Sequence, residues 1–448
     1  MTATFRTAQT TLATAAALFS GALGTFVLIS PREWRGEFNA SGRQMESWLD
    51  TLPTAVAIGT VVAVLAYAAL QRAGSVRPAW ISGVVASAVL IAVRLSVSGA
   101  GGVDQLTLLH YTKCVAAGVL LGAAVAAAWA RPLPRFALVV GVAATFVVAH
   151  TARADWTPST SALGEPFWWV LVPTLVLAAV CAVVDADGPA ESERDITLQA
   201  IAAVATLALA HRLLGAWIDG QTTNSRLQLW TVLAVGLVLV VALTEFWARR
   251  LDSPFLLAAT AVAAATPFVT TLISRTVTQD YLREESWVLV VVGFAAVAAS
   301  AAVARWRPAP VLGLAVLALI PLSAVIDPSP GNGRVWVLVP LAVLGVGIGV
   351  ALGSTLPDSG ALASLGLVVP LLSLVFAEVV GVTSRFVFYS GSYEPLPDVP
   401  PSEGWTAISF DSPVTFDRGA AVAMLLVVVF CALAIRGHRA QPSVPRPE

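Results

Sequence analysis

Residues 70 to 126 read LQRAGSVRPAWISGVVASAVLIAVRLSVSGAGGVDQLTLLHYTKCVAAGVLLGAAVA. The stretch holds two apolar segments, each near the 20 or so residues that a helix needs to cross a bilayer. The only lysine of the chain, Lys113, lies inside the second segment. Because a lysine in the hydrocarbon core costs about 3 kcal/mol on insertion scales, it indicates either a functional group or a buried ion pair.

The composition is that of an integral membrane protein. Of the 448 residues, 57% are hydrophobic and 12% are charged, against about 25% charged in soluble proteins. The net charge of -1 predicts no nucleic-acid partner. Cys114, Cys181 and Cys431 each lie in an apolar segment without metal-ligand spacing, which predicts neither a disulfide framework nor a metal site. No sequence motif calls for a cofactor.

Hydropathy predicts an all-α bundle of about fourteen transmembrane helices, with errors of a few residues at each boundary. The predicted spans are 8 to 30, 52 to 71, 79 to 98, 106 to 130, 134 to 152, 166 to 185, 196 to 218, 228 to 248, 254 to 275, 286 to 305, 309 to 327, 335 to 355, 360 to 384 and 419 to 436.

The arginines predict the orientation. They cluster in short connections on one side of the bundle, as cytoplasmic loops do. One lysine among 26 basic residues suggests a GC-rich bacterial coding bias. We therefore expect a multi-pass protein of the bacterial cytoplasmic (inner) membrane with both termini in the cytoplasm. The arginines concerned are Arg72 and Arg77, Arg131 and Arg135, Arg249 and Arg250, Arg305 and Arg307, and Arg436 and Arg439.

An acidic stretch, Asp185 to Asp195, reads as a linker after the sixth span. It predicts a six-helix half at 1–185, a linker with two extra helices at 186–253, and a second six-helix half at 254–448. Two long outer loops, 31–50 and 386–418, are predicted at the opposite side.

Three groups of residues form recognisable motifs: Arg72, Gly74 and Arg77; Lys113 with Gly118 and Gly122; and Gly345, Gly347, Gly349 and Gly353 ahead of Pro357, Ala363 and Gly366. They resemble the motifs of one family, the major facilitator superfamily, and in particular its fourteen-span drug:proton antiporter branch. The family pattern after the second span is G-x-x-x-D-R-x-G-R-R, and here Gln71 stands at its aspartate and Tyr67 at its leading glycine. The first span has no aspartate and residues 135–150 of the fifth have no proline, where antiporters carry them.

The resemblance implies two six-span halves, a substrate path between them and transport by rocking of one half against the other. It implies that Arg72, Gly74 and Arg77 form a conformational turn. The predicted function is a secondary transporter that exports an amphipathic or anionic small molecule, or a lipid.

Ionisable residues inside the spans are the candidate site, because such residues usually face a bundle interior or a water-filled path. Lys113, His110, Arg94, His211 and Arg212 predict a positively biased outer cavity suited to an anionic substrate. The structural alternatives are that Arg94 snorkels to the interface and that Lys113 forms an ion pair. Proton coupling needs a carboxylate, and Glu378 is the one clearly within a span.

Two other functions stay open at this point. The missing aspartate in the first span and Gln71 favour a non-transporting partner protein in cell-envelope assembly or lipid handling. A membrane glycosyltransferase would need acidic residues such as Glu33 and Glu37, but Arg32 and Arg35 lie between and beside them, so we predict no enzyme. A cavity between the halves lined by Lys113 and Glu378 would favour transport.

Overall fold

The computed structural model describes residues 2–29, 42–98, 102–149, 163–185, 187–189, 191–220, 226–278, 286–329, 334–386 and 415–440. Within these ranges the regular structure is helical. The helices are α1 (Thr2–Ile29), α2 (Gly42–Leu70), α3 (Arg77–Val97), α4 (Val103–Ala128), α5 (Pro132–Val148), α6 (Trp168–Val184), α7 (Arg194–Asp219), α8 (Arg226–Arg250), α9 (Pro254–Thr278), α10 (Ser286–Trp306), α11 (Pro310–Ile326), α12 (Arg334–Gly353), α13 (Gly360–Val368), α14 (Leu374–Phe386) and α15 (Arg418–Ala440).

The fourteen predicted spans all fall on helices. Eleven apolar helical segments are long enough to cross a membrane, and α5, α6 and α11 are apolar helices of 17 residues. α13, a 3-10 turn at Val369–Leu372 and α14 together make one span. The predicted all-α polytopic fold is therefore confirmed.

The predicted outer loops need one correction. Residues 42–50 of the loop at 31–50 are helical and extend α2. Their Trp48 is buried in a small cluster with Val93, Leu106 and Leu163, which gives this polar segment an apolar anchor. Residues 387–414 of the loop predicted at 386–418 lie outside the described residues, as do Glu33 and Glu37.

Consecutive spans alternate in direction, so their connections lie on two faces. We call the side of residues 71–76, 129–131, 185–193, 251–253, 307–309 and 354–359 the terminal face, since α1 begins and α15 ends there. The opposite side is the distal face.

The same helix pairings occur twice. In the first six spans α1 packs on α4, α5 and α6, while α3 and α4 pack on each other and contact α6 and α2 respectively. In the last six spans, α9 packs in the same way on α12, on the span formed by α13 and α14, and on α15. The helices α11 and α12 pack on each other; α11 also contacts α15, and α12 also contacts α10. The two sets contact each other mainly through α5 with α10 and α12, and through α2 with α13.

The helix α7 lies at the seam between these two sets. It packs on α2 from the first set and on α13, the 3-10 turn and α14 from the second, and α8 packs on its outer side. One of the two helices that the sequence predicts as extra, α7, thus packs against both sets of spans.

Glycines allow a close contact between α2 and α4. A methyl group at Gly118 would overlap the carbonyl oxygen of Gly59, and one at Gly122 would overlap that of Ala63. Small residues at such positions let backbones approach in membrane bundles, where van der Waals packing drives association.

Replacing Gly122 with alanine is therefore expected to force α2 and α4 apart and destabilise the protein by about 1–3 kcal/mol, as overpacking does. The matched control is Gly83→Ala on α3, where the added methyl would meet its nearest side-chain atom at 3.7 Å. That control should stay within about 1 kcal/mol of wild type, or gain from the better helix propensity of alanine. Unfolding midpoints in detergent compare the two, and equal stabilities would contradict the close packing.

Candidate functional site

A cavity of about 460 Å³ lies between the two sets of six spans. Its volume is within the usual range for small-molecule sites, about 300–1,000 Å³. It reaches Ile29, at the distal end of α1, and occupies the distal half of the bundle. Its lining comprises Leu28 and Ile29; Leu52, Pro53, Val56 and Ala57; Phe146; Ala208, His211 and Arg212; Thr266, Pro267 and Thr270; and Pro370 to Leu374 with Ala377, Glu378 and Gly381.

Three prolines in this lining shape its walls. Pro53 lies in α2, Pro267 lies in α9, and Pro370 lies in the 3-10 turn that divides α13 from α14. Proline removes a backbone N–H and clashes with the carbonyl four residues before, so it bends or breaks helices. Irregular backbone at membrane depth is tolerated where it is buried in protein or lines a polar cavity. The break in the thirteenth span was not predicted, although Pro370 in VVPLL was its signal.

His211 is 4% exposed and lines the cavity. Its ring meets that of Phe376 edge to face, with centroids 5.6 Å apart. Its Nδ1 is buried and has no hydrogen-bond partner among the described residues. Because an unsatisfied buried polar atom costs about 1–3 kcal/mol, a ligand that bonds this atom would be favoured.

Arg212 joins α7 to α2. Its Nε donates to Thr54 Oγ1 at 2.7 Å, and its Nη2 donates to the backbone oxygen of Asp50 at 3.0 Å. Two of the five guanidinium N–H donors are therefore used by α2. His211 packs on Phe376 of α14, and the next residue, Arg212, bonds α2. The two residues therefore link α7 to both sets of spans.

Glu378 lines the same cavity from α14 and is half-buried. Thr266, Thr270 and Ser373 add hydroxyls to the lining. The remaining wall is apolar, so the cavity can receive a molecule that has both a polar and an apolar part.

On the terminal face the seam is closed by a hydrogen-bonded cluster. Ser192 Oγ lies 2.7 Å from Tyr67 Oη and 2.9 Å from Ser359 Oγ. Gln71 donates to Thr197 Oγ1 at 3.0 Å and accepts from the backbone N–H of Ser192 at 3.0 Å. The cluster joins the end of α2, the segment before α7 and the start of α13.

A second contact closes the same face nearby. The indole N–H of Trp129, after α4, donates to the carbonyl of Pro357 at 3.2 Å. Arg135 lies over the Trp129 ring at 5.7 Å and 3.7 Å from the carboxylate of Asp358. The first and second sets of spans are therefore tied together on the terminal face while a cavity separates them on the distal side.

Lys113, His110 and Arg94 do not line this cavity. Lys113 is 1% exposed and donates to the carbonyl of Leu163 at 2.5 Å. His110 is fully buried, with Nε2 at 3.4 Å from the carbonyl of Leu52. Arg94 donates to the carbonyl of Pro166. Lys113 of α4 and Arg94 of α3 thus hold the segment before α6, and His110 of α4 contacts α2. The role of these three residues in substrate binding stays a prediction.

The predicted conformational turn divides into exposed and buried residues. Arg72, Gly74 and Arg77 are exposed, and a methyl group at Gly74 would have open space around it. Gln71, which stands at the aspartate of the family pattern, is 3% exposed and carries the contacts to Ser192 and Thr197.

Asp185 is a structural centre that was not predicted from the sequence. It was interpreted as the start of a linker, but it is fully buried. Its carboxylate accepts from Arg131 at 2.5 Å, from Trp80 Nε1 at 3.1 Å and from Gln9 Nε2 at 2.9 Å. The signal was available, since Asp185 and Arg131 directly follow two spans that end on the same face.

Among the described residues, no group of three or more His, Cys, Asp or Glu could hold a metal ion. No protein-family model matches the chain, and no curated protein matches its sequence.

Solved structures do resemble the chain. A crystal structure described as the D-xylose-proton symporter superposes with a TM-score of 0.50, at 12% identity, over 95% of this chain and 96% of that one. The major facilitator superfamily proton:xylose symporter XylE, bound to 6-bromo-6-deoxy-D-glucose, superposes with a TM-score of 0.50 at 13% identity. The superposition covers 97% of this chain and 95% of that one. A partially occluded inward-open structure of the xylose transporter XylE from E. coli superposes with a TM-score of 0.49 at 12% identity, over 97% of this chain and 99% of that one. The two comparisons with a TM-score of 0.50 show that the chain has the fold of the major facilitator superfamily.

Proposed function

We propose that this protein is a secondary transporter that works by alternating access. The observation that carries the proposal is the cavity between the halves, which has polar groups in its wall and is closed on the terminal face by the Tyr67–Ser192–Ser359 cluster. In this proposal the structure corresponds to the conformation that is open to the distal side.

The division of the chain follows from the same proposal. We assign 1–185 and 254–448 to two halves that rock against each other, and 186–253 to a linker with two extra helices. The repeated helix pairings support this division, because related halves that rock around a central site are typical of such transporters. The position of α7 at the seam makes it part of the moving interface.

The lining supports an amphipathic or anionic substrate, either a small molecule or a lipid. Arg212 and His211 supply hydrogen-bond donors, and a guanidinium binds carboxylate and phosphate groups well. The apolar residues Leu28, Phe146 and Leu371 face the rest of the cavity. We propose export, as in the drug:proton antiporter branch, with the terminal face on the cytoplasmic side of a bacterial inner membrane.

Glu378 is the proposed proton-coupling group, in a mechanism like that of the drug:proton antiporter branch. It is a carboxylate in the cavity lining and lies on α14, directly after the 3-10 turn that interrupts the span, and both observations support this proposal.

Replacing Glu378 with glutamine is expected to abolish pH-dependent transport, since the amide cannot exchange a proton. The measurement is efflux of the anionic amphipath 8-anilinonaphthalene-1-sulfonate from proteoliposomes under an imposed pH gradient. Asp104→Asn, which removes an exposed carboxylate at the distal start of α4 and outside the cavity, is the matched control and should transport like wild type.

Two results would count against the proposal. Unchanged pH-dependent efflux in Glu378→Gln would remove this residue from the mechanism. Wild-type efflux no faster than from protein-free liposomes would contradict the substrate class.

A further inference from the structure

A second cavity, of about 430 Å³, lies in a groove between α1, α5, α6 and α10. It shares no lining residue with the candidate functional site. Its lining is almost entirely apolar and rich in aromatic rings, among them Phe19, Phe26, Phe167 and Phe294. A water-soluble ligand would find almost no hydrogen-bonding partner there.

The groove spans one leaflet in depth. Along α1 it runs from Leu18 to Phe26, a rise of eight residue steps or about 12 Å of helix. Leu18 lies at the middle of the apolar segment Thr7–Ile29, and on α10 the groove ends at Ala295, near the middle of Trp287–Trp306. Since the hydrocarbon core is about 30 Å thick, half of it is about 15 Å. The groove thus extends from the membrane midplane to the distal interface.

The distal end of the groove carries the residues of a membrane interface. Trp169, which lines it, and Trp287, one turn beyond it, are each 55% exposed, and tryptophan is enriched at the headgroup level. Arg94 donates to the carbonyl of Pro166, a lining residue, and its guanidinium lies 4.8 Å over the Trp168 ring. A cation at this level is complementary to a lipid phosphate.

We propose that the groove binds one acyl chain of a bilayer phospholipid from the distal leaflet, with the phosphate toward Arg94. The apolar lining, the one-leaflet depth and the interfacial cation all fit this ligand. The chain would contact α1, α5 and α6 on one side and α10 on the other, beside the place where α5 and α10 meet at Val148 and Gly293.

The test uses the full-length protein in nanodiscs that contain a phospholipid with a photoreactive diazirine in its acyl chain. After illumination, cross-links are mapped by mass spectrometry. We expect more cross-links on the groove segments of α1 and α10 than at Leu312 and Leu319 of α11, which are exposed, lipid-facing residues outside the groove.

Two variants fill the groove from opposite walls, Ala22→Phe and Ala295→Phe. Each should lower cross-linking at the groove about tenfold, roughly the effect of excluding two methylenes from an apolar site. Leu319→Phe, on an exposed lipid-facing position, is the control and should leave it unchanged. Even cross-linking over all exposed helices, or groove cross-linking that neither filling variant reduces, would overturn the proposal.

Discussion

Replacing Asp185 with alanine is expected to destabilise the protein by about 3–5 kcal/mol, the usual cost of removing one partner from a buried ion pair. Asp185 is fully buried and the Arg131 side chain is 15% exposed. The substitution would leave Arg131, Trp80 and Gln9 without their common acceptor. Since Gln9 lies in α1, Trp80 lies in α3 and Arg131 follows α4, the loss would loosen the terminal ends of these three helices from the end of α6.

The measurement is the midpoint of unfolding in a detergent titration. Asp358→Ala is the matched control, because it also removes a carboxylate near an arginine on the same face, but one that is fully exposed. The control should unfold like wild type, as exposed pairs contribute little. An equal effect of the two substitutions would contradict the role of Asp185.

Linking the terminal-face cluster covalently is expected to stop transport. In the double variant Ser192→Cys and Ser359→Cys, the two sulfurs replace hydroxyl oxygens that lie 2.9 Å apart, close enough for a disulfide to form with little movement. The disulfide would keep the segment before α7 against the start of α13. Gln71 of α2 still bonds Thr197 and the backbone N–H of residue 192, so this segment stays with the first half and the halves could not separate on this face. Efflux of the anionic probe should fall to the protein-free level under oxidation and return on reduction.

The native cysteines do not interfere, because Cys114, Cys181 and Cys431 are all buried. Each single variant, Ser192→Cys or Ser359→Cys, should keep transport under oxidation. Full transport in the oxidised double variant, with the disulfide verified by mass spectrometry, would show that this face does not open.

The spans could be predicted from the sequence because each depends on local hydropathy. An apolar run of about 20 residues must form a helix in a membrane, since no other arrangement of a single segment satisfies the backbone. The start of α2 at Gly42 was missed because residues 42–50 are polar and form a helix through the tertiary contact of Trp48.

The candidate site could be predicted only in part. The sequence singles out His211, Arg212 and Glu378 because an ionisable group inside a span usually faces a bundle interior or a water-filled path. All three line the cavity, and their roles in transport stay predictions. Lys113 satisfies the same rule, yet it bonds Leu163 within the first half, because hydropathy does not report which helix face meets which neighbour. The entry of α7 into the seam is likewise a property of packing, and no local pattern indicates it.

The central claim is that the two halves rock around the cavity. Spin labels at Leu49→Cys and Trp336→Cys, exposed positions near the distal ends of α2 and α12, would report the distance between the halves across the distal face. In liposomes the account predicts two distance populations, of which only the longer remains when the Ser192–Ser359 disulfide is formed before labelling. A single population that the disulfide does not change would contradict alternating access.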